Sequence, residues 1–256
     1  MKHLIYSAAI AIMAASCSSE EIMQEFEFGK GKMEFRLTTS ECPVEIISRA
    51  TQIPDVENFT IKISKDKEMI KTGTLKELKK ESPVFLEASD DGTDYEVEAY
   101  SCENPGDAVL DKPYFYGSKI TTVVKDETAT AEVECSLQQF QVSFVPSSEF
   151  MSSFRTDANV EEQGGEKFKL TVTDANEREV PFTFSDLDKS AYFDGEKTSS
   201  YIKINIKGTT IKGFPVNFTD IIEPEDGKLE KKDHLIIKLN VSESNTLKIK
   251  ASNFEL

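Results

Sequence analysis

An all-β chain of two antiparallel β-sandwiches in tandem is predicted here, on three observations. Short apolar runs alternating with polar residues recur along the sequence, as half-buried strands require. Polar turns rich in Gly, Asp, Asn and Ser separate these runs, with almost no long helical periodicity. Within the longest strand signal, Asp111 to Val145, the apolar positions change parity: Ala129, Ala131, Val133, Cys135 and Leu137 are odd, whereas Phe140, Val142 and Phe144 are even. Because successive strand side chains point to opposite faces, the extra residue at Gln138 and Gln139 turns the apolar face over. One core is expected to end at Leu137 and another to begin at Phe140; the alternative is one strand with a bulge. The divisions that follow are a signal peptide over 1–16, an acidic tether over 17–30, a first sandwich over 31–137 and a second over 138–256.

From the amino terminus, Lys2 and His3 precede the apolar run Leu4 to Ala15. It is too short to cross a bilayer, which takes roughly 20 apolar residues, and has the size of a signal-peptide core. Ala14, Ala15, Ser16 and Cys17 resemble a bacterial lipobox, with Ala where Leu is usual. Cys17 would then become the acylated first residue, and acyl chains burying roughly 0.8 kcal/mol per methylene would hold the chain to a membrane. A plain secretory signal with an incidental cysteine is the alternative.

Strands are expected where apolar residues alternate. In the first half they are Met33 to Leu37, Phe59 to Ile63, Val84 to Leu86, Tyr95 to Ala99, Ile120 to Val124 with the even residues inward, and Ala129 to Leu137. The last two would pair as a hairpin across Lys125 to Glu127. Thr39 to Glu57 reads as an exposed linker, and Thr74 to Lys80 as a helical turn or two, or a sheet edge. Ser89 to Asp94, SDDGTD, clusters carboxylates around a glycine but lacks the EF-hand spacing and its bidentate Glu, so a hairpin turn is expected rather than a cation site. In the second half, Phe150 and Phe154 share one face of a short helix entered at Ser147 or Ser148. Strands follow at Phe168 to Val172, Val180 to Phe184, Ile202 to Ile206 and Phe214 to Phe218, the last at an edge because of Pro215. Tyr192 to Ser199 reads as irregular. Leu235 to Val241 and Leu247 to Ala251 close the chain as a hairpin.

Composition narrows the function. Forty-six acidic against 30 basic residues give a net charge of −16, which argues against binding nucleic acid through a basic face. No cofactor motif of the Walker or dinucleotide type is present. His234 is the one histidine left once the leader is gone, with no cysteine or second histidine near it in sequence, so neither a zinc site nor a Ser–His–Asp or Cys–His arrangement is expected. Paired carboxylates could occur anywhere, but the chain has no Trp to line a glycosidase cleft. The residues therefore point away from catalysis and from bound metal. Beyond Cys17 there are three cysteines, Cys42, Cys102 and Cys135, an odd number for an exported chain. Cys102 and Cys135 could form a bridge, or Cys135 could serve as a small buried hydrophobe.

Cys17 with its acidic tail Ser18-Ser19-Glu20-Glu21, SRAT at Ser48 to Thr51, VENFTIKI at Val56 to Ile63, YEVEAYS at Tyr95 to Ser101, DKPYFYG at Asp111 to Gly117 and VECSL at Val133 to Leu137 occur in one order. In these the chain resembles the fimbrillin-like surface lipoproteins of Bacteroidota-type bacteria, related to type V pilins. The resemblance covers Met1 to about Val145 by motif and the remainder by strand pattern only. It implies two transthyretin-like/Ig-like sandwiches, an outer-membrane, surface-exposed location, and a structural or adhesive role as fimbrial subunit or anchor. In such pilins a cut after an arginine opens a groove that accepts a strand from the next subunit; the matching bond here is Arg49–Ala50, the released strand Met33 to Thr38, and a possible donor the terminal hairpin. In the alternative Arg49 is never cut and the chain stays a lipid-anchored monomer. The two exclude each other in one molecule, because the cut severs the anchor. A second function weighed from the residues is glycan binding for an outer-membrane uptake system, with Tyr114, Phe115 and Tyr116 as a stacking platform.

Overall fold

The computed structural model describes residues 29–40, 54–156 and 159–241, and the backbone of 247–255. Cys17, Cys42, Arg49 and Ala50 lie outside the described residues, as do the leader and most of the tether.

The first half supplies β1 (Gly29–Thr39), β2 (Thr60–Lys65), β3 (Glu68–Thr74), α1 (Leu75–Lys80), β4 (Val84–Ala88), β5 (Thr93–Tyr100), β6 (Ala108–Leu110), β7 (Phe115–Val123) and β8 (Thr128–Leu137). All of these strands but β6 join one sheet in the order β3-β2-β5-β7-β8-β1-β4. Residues from both of its flanks, among them Met33, Ile61, Val97, Phe115 and Val133, share one buried cluster, so the sheet folds over along β7 and β8. Asp66 and Lys67 form the two-residue turn between β2 and β3, both at positive φ, the conformation whose twist suits a tight hairpin. Thr74 and Glu77 close a capping box on α1, which buries Leu75 and Leu78.

The second half supplies β9 (Gln139–Pro146), α2 (Ser148–Met151), β10 (Lys169–Asp174), β11 (Glu179–Phe182), β12 (Ser190–Asp194), β13 (Ile202–Thr209), β14 (Pro215–Ile222), β15 (Asp233–Val241) and β16 (Leu247–Glu255). A four-stranded sheet, β11-β10-β13-β14, faces a five-stranded one, β16-β15-β9-β12-β6. Between them lies a second cluster containing Phe140, Phe144, Phe182, Phe193, Ile204 and Ile237. Ser147 caps α2 by accepting from the Phe150 amide at 3.1 Å, and Phe150 and Phe154 pack with ring centroids 5.2 Å apart. The first cluster's last strand residue before the parity change is Leu137, and the second begins at Phe140.

Several sequence expectations are corrected. Each half contains one parallel pair, β1 with β8 and β9 with β15, so the sheets are not purely antiparallel. β6 lies in the first half of the chain but hydrogen-bonds to β12, so a division at 137/138 leaves this strand on the wrong side. In β7 the inward residues are odd, not even: Ile120 is 66% exposed and Val123 is buried. The cause is register, since Tyr95, Val97 and Ala99 of β5 face the core and pair directly with Thr121, Lys119 and Gly117, which must point the same way. β4 and β5 do not pair; β4 joins β1 and β5 joins β2 and β7, so Ser89 to Asp94 is a crossover between flanks and not a hairpin. Its bonds are internal, Ser89 Oγ donating to the Gly92 carbonyl at 2.8 Å. Phe184 lies in a 3-10 turn beyond β11. β12, expected to be irregular, is an inner strand of its sheet.

Candidate functional site

Where the two cores meet, the chain passes from β8 to β9 through Gln138. Three other segments dock there by backbone bonds: the Gln138 amide donates to the Tyr114 carbonyl (2.9 Å), Gly195 to the Gln138 carbonyl (3.0 Å), and Lys232 to the Gln139 carbonyl (3.0 Å). Gly195 permits this closeness, because a Cβ there would sit 2.8 Å from the Cα and amide nitrogen of Lys231. Together they wall a cleft of about 260 Å3 lined by Tyr114, Tyr116, Gln138, Gln139, Asp194, Glu196 and Lys231, with Asn104 and Gly106 at one side.

The tyrosines flank Phe115 in sequence and so point away from it. Phe115 is buried in the first core, which removes it from the expected platform; Tyr114 and Tyr116 are half-buried on the opposite face, ring centroids 6.4 Å apart and tilted by 30°. Tyr116 donates to Glu98 at 3.0 Å, and Glu98 also accepts from Lys62 at 2.6 Å. The Lys62 bond, joined by that of Tyr116, holds the Glu98 carboxyl below its ordinary pKa, while burial and then Glu98 raise that of Tyr116. Burial likewise raises Tyr114. Both phenols stay protonated at neutral pH.

Amides form the floor. Gln138 donates to the Ser136 carbonyl (2.9 Å) and hydroxyl (3.0 Å). Gln139 is 2% exposed, and its Oε1 accepts from the Tyr114 amide at 2.7 Å, which fixes the orientation of the group. Its Nε2 has no partner among the described residues. On the far wall Asp194 accepts from the Glu196 amide at 3.1 Å and Lys231 pairs with Glu196. The lining thus carries two carboxylates and one lysine already engaged.

Arg178 braces the junction from beneath. All five of its donors are used: Nε and Nη2 donate to Asp174 Oδ2 (2.8 and 2.6 Å), Nη1 to the carbonyls of Asp107 (3.2 Å) and Asp194 (2.9 Å), and Nη2 also to that of Lys197 (3.0 Å). The guanidinium lies 5.7 and 5.6 Å from the ring centroids of Phe140 and Phe193. Burial opposes the Asp174 carboxylate, but bonds from Arg178 and Asn176 outweigh it and hold its pKa below the ordinary value.

β9 and β15 are parallel neighbours, which brings Ser143 Oγ within 2.7 Å of His234 Nε2. Both residues are more than nine-tenths buried, neither lines the cleft, and burial pushes the His234 pKa down to about 4. The pair satisfies two buried polar groups. Cys102 and Cys135 are free thiols, so the bridge is not made; burial raises the Cys135 thiol to about 11. Among the described residues no cluster of three or more His, Cys, Asp or Glu could hold a metal ion, and no helix is long and apolar enough to cross a membrane.

Of the cleft residues, only the tyrosines were legible in the sequence. Gln138 and Gln139 marked the parity change without suggesting a site, and Asp194, Glu196 and Lys231 lie far along the chain with no shared motif.

The model of one family, described as Domain of unknown function (DUF4493), matches residues 29–253. No curated protein matches the chain. Among solved structures, a fimbrial assembly protein of Parabacteroides distasonis is similar at 9% identity and a TM-score of 0.48, over 88% of this chain and 96% of that one. A "putative cell adhesion protein" of Bacteroides uniformis is similar at 9% identity and a TM-score of 0.45, over 89% and 98%. Likeness at this level does not carry a ligand or partner from one chain to another.

Proposed function

The chain belongs to the DUF4493 family, and we propose that it is a non-catalytic cell-surface lipoprotein with a structural, adhesive role, acting as a fimbrial subunit or as an anchor. The observation that carries this reading is the place of β1. It is the first described strand, it hydrogen-bonds on both edges, to β4 and to β8, and it buries Met33 and Phe35 in the first core. The Arg49–Ala50 bond follows it in sequence. A cut there would leave β1 held by ladder bonds and side-chain burial alone, and its departure would open a slot between β4 and β8. A strand from another copy with apolar residues at alternate positions fits such a slot: main-chain bonds supply affinity and the side chains fill the vacated pockets. β16 is the edge strand of its sheet, which supports the terminal hairpin as the donor. Uncut, the same strand stays in place and Cys17 carries the lipid.

Limited digestion of the full chain with a protease that cuts after arginine tests this. A subunit loses β1, starts at Ala50 and forms heat-sensitive ladders on an unboiled gel. An anchor is trimmed in the linker at most and remains a monomer with β1 in place. Digestion spread through both cores contradicts a structural surface role.

A further inference from the structure

We infer that the cleft at the junction of the two cores binds one uncharged pyranose ring of a glycan. This holds whether the chain is a subunit or an anchor, and it goes beyond a structural role.

The argument starts from the orphaned amide. Gln139 is 2% exposed and lines the cleft, and its Oε1 is committed to the Tyr114 amide, so its Nε2 is a buried donor without a partner among the described residues. Leaving such a group unpaired is costly, so where the fold supplies no acceptor a water or a ligand in the cleft supplies it. Around it the lining mixes amides, carboxylates and phenols, which between them offer both donors and acceptors, as vicinal hydroxyls need. Tyr114 and Tyr116 add aromatic surface against which the C–H face of a sugar packs while hydroxyls reach the amides. At about 260 Å3 the space is smaller than the roughly 300–1,000 Å3 of a drug-sized site, which suits one ring with the remainder of the glycan in solvent.

Charge selects within the class. Asp194 and Glu196 face a single lysine, Lys231, already paired with Glu196. In a chain of net charge −16 this disfavours phosphate, sulfate and sialic acid. Neutral hexoses and N-acetylhexosamines remain.

The full chain is tested on an array of neutral and sialylated glycans, then titrated with methyl glycosides of the hexoses bound. The expected result is binding of neutral glycans only, weakened about tenfold or more by Tyr116→Ala and retained by Tyr116→Phe, since the ring and not the hydroxyl does the packing. Gln139→Glu, which keeps the acceptor for Tyr114 and removes the donor, abolishes binding. Because these variants can disturb folding, the wild-type chain is also followed by NMR: the glycoside shifts the Gln139 side-chain amide and the Gly106 and Gly195 amides. Three outcomes overturn the inference: no neutral glycan bound, preference for sialylated glycans, or shifts that leave Gln139 unmoved.

Discussion

Removing the Arg178 guanidinium tests whether the junction is held from within. Arg178→Met keeps much of the side-chain volume and deletes five donors at once. The loss has two parts. The Asp174 carboxylate, 0% exposed, is left without its cation, and three carbonyls at Asp107, Asp194 and Lys197 lose a buried partner. Breaking a buried ion pair from one side costs about 3–5 kcal/mol. Since a domain is stable by only about 5–15 kcal/mol, the variant should unfold at a markedly lower urea concentration. Adding Asp174→Asn removes the stranded charge while its side-chain oxygen still accepts from the amides of Asn176 and Arg178, so the double variant should be more stable than Arg178→Met alone. Acid should act in the same sense. In the wild type the Asp174 pKa is lowered, so its contribution is present at neutral pH and lost as pH falls; in Arg178→Met the carboxyl is buried and unpaired, its pKa rises, and its penalty fades as pH falls. Urea unfolding followed by tyrosine fluorescence and circular dichroism at two pH values measures both effects. A cost below about 1 kcal/mol, or a double variant no better than the single, would mean that the Arg178–Asp174 pair does not hold the junction.

Three further outcomes are expected. Gly117→Ala should cost about 1–3 kcal/mol, because a Cβ there would lie 2.2 Å from the Glu134 carbonyl oxygen; thermal unfolding reads this. His234, with its pKa pushed down to about 4, is neutral when folded and takes up a proton on unfolding, so stability should fall between about pH 6.5 and 4 by up to about 3 kcal/mol. The difference in urea midpoint between wild type and His234→Gln across that window isolates the effect. Ile120→Thr should be nearly neutral, within about 0.5 kcal/mol, whereas Val123→Ala should cost about 1–3 kcal/mol, which separates the observed register of β7 from the even-numbered face read in its sequence.

The all-β class was readable wherever one face of a strand is buried and the other wet. Val133, Cys135 and Leu137 of β8 and Ile202, Ile204 and Ile206 of β13 carry that pattern, and the parity change at Gln138 marks where buried residues pass from one cluster to the other. β12 escaped because Ser190 and Tyr192 on one side and Ala191 and Phe193 on the other are all buried, leaving no alternation to see. β6 is three residues long, and its partner β12 lies some 80 residues later, beyond any local signal. β7 misled because Ile120 is the most apolar residue in its middle, while Gly117 and Thr121 occupy the inward positions fixed by β5. The cleft was legible only in its tyrosines, since its other walls are assembled by backbone docking at Gln138, Gln139 and Gly195.

The structural surface role is tested most directly by the intact mass and protease accessibility of the protein taken from native cell envelopes. The expected result is a chain reached by protease on whole cells, beginning either at an acylated Cys17 or, within a polymer, at Ala50. An unacylated chain free in the periplasm, monomeric and shielded from external protease, would contradict it.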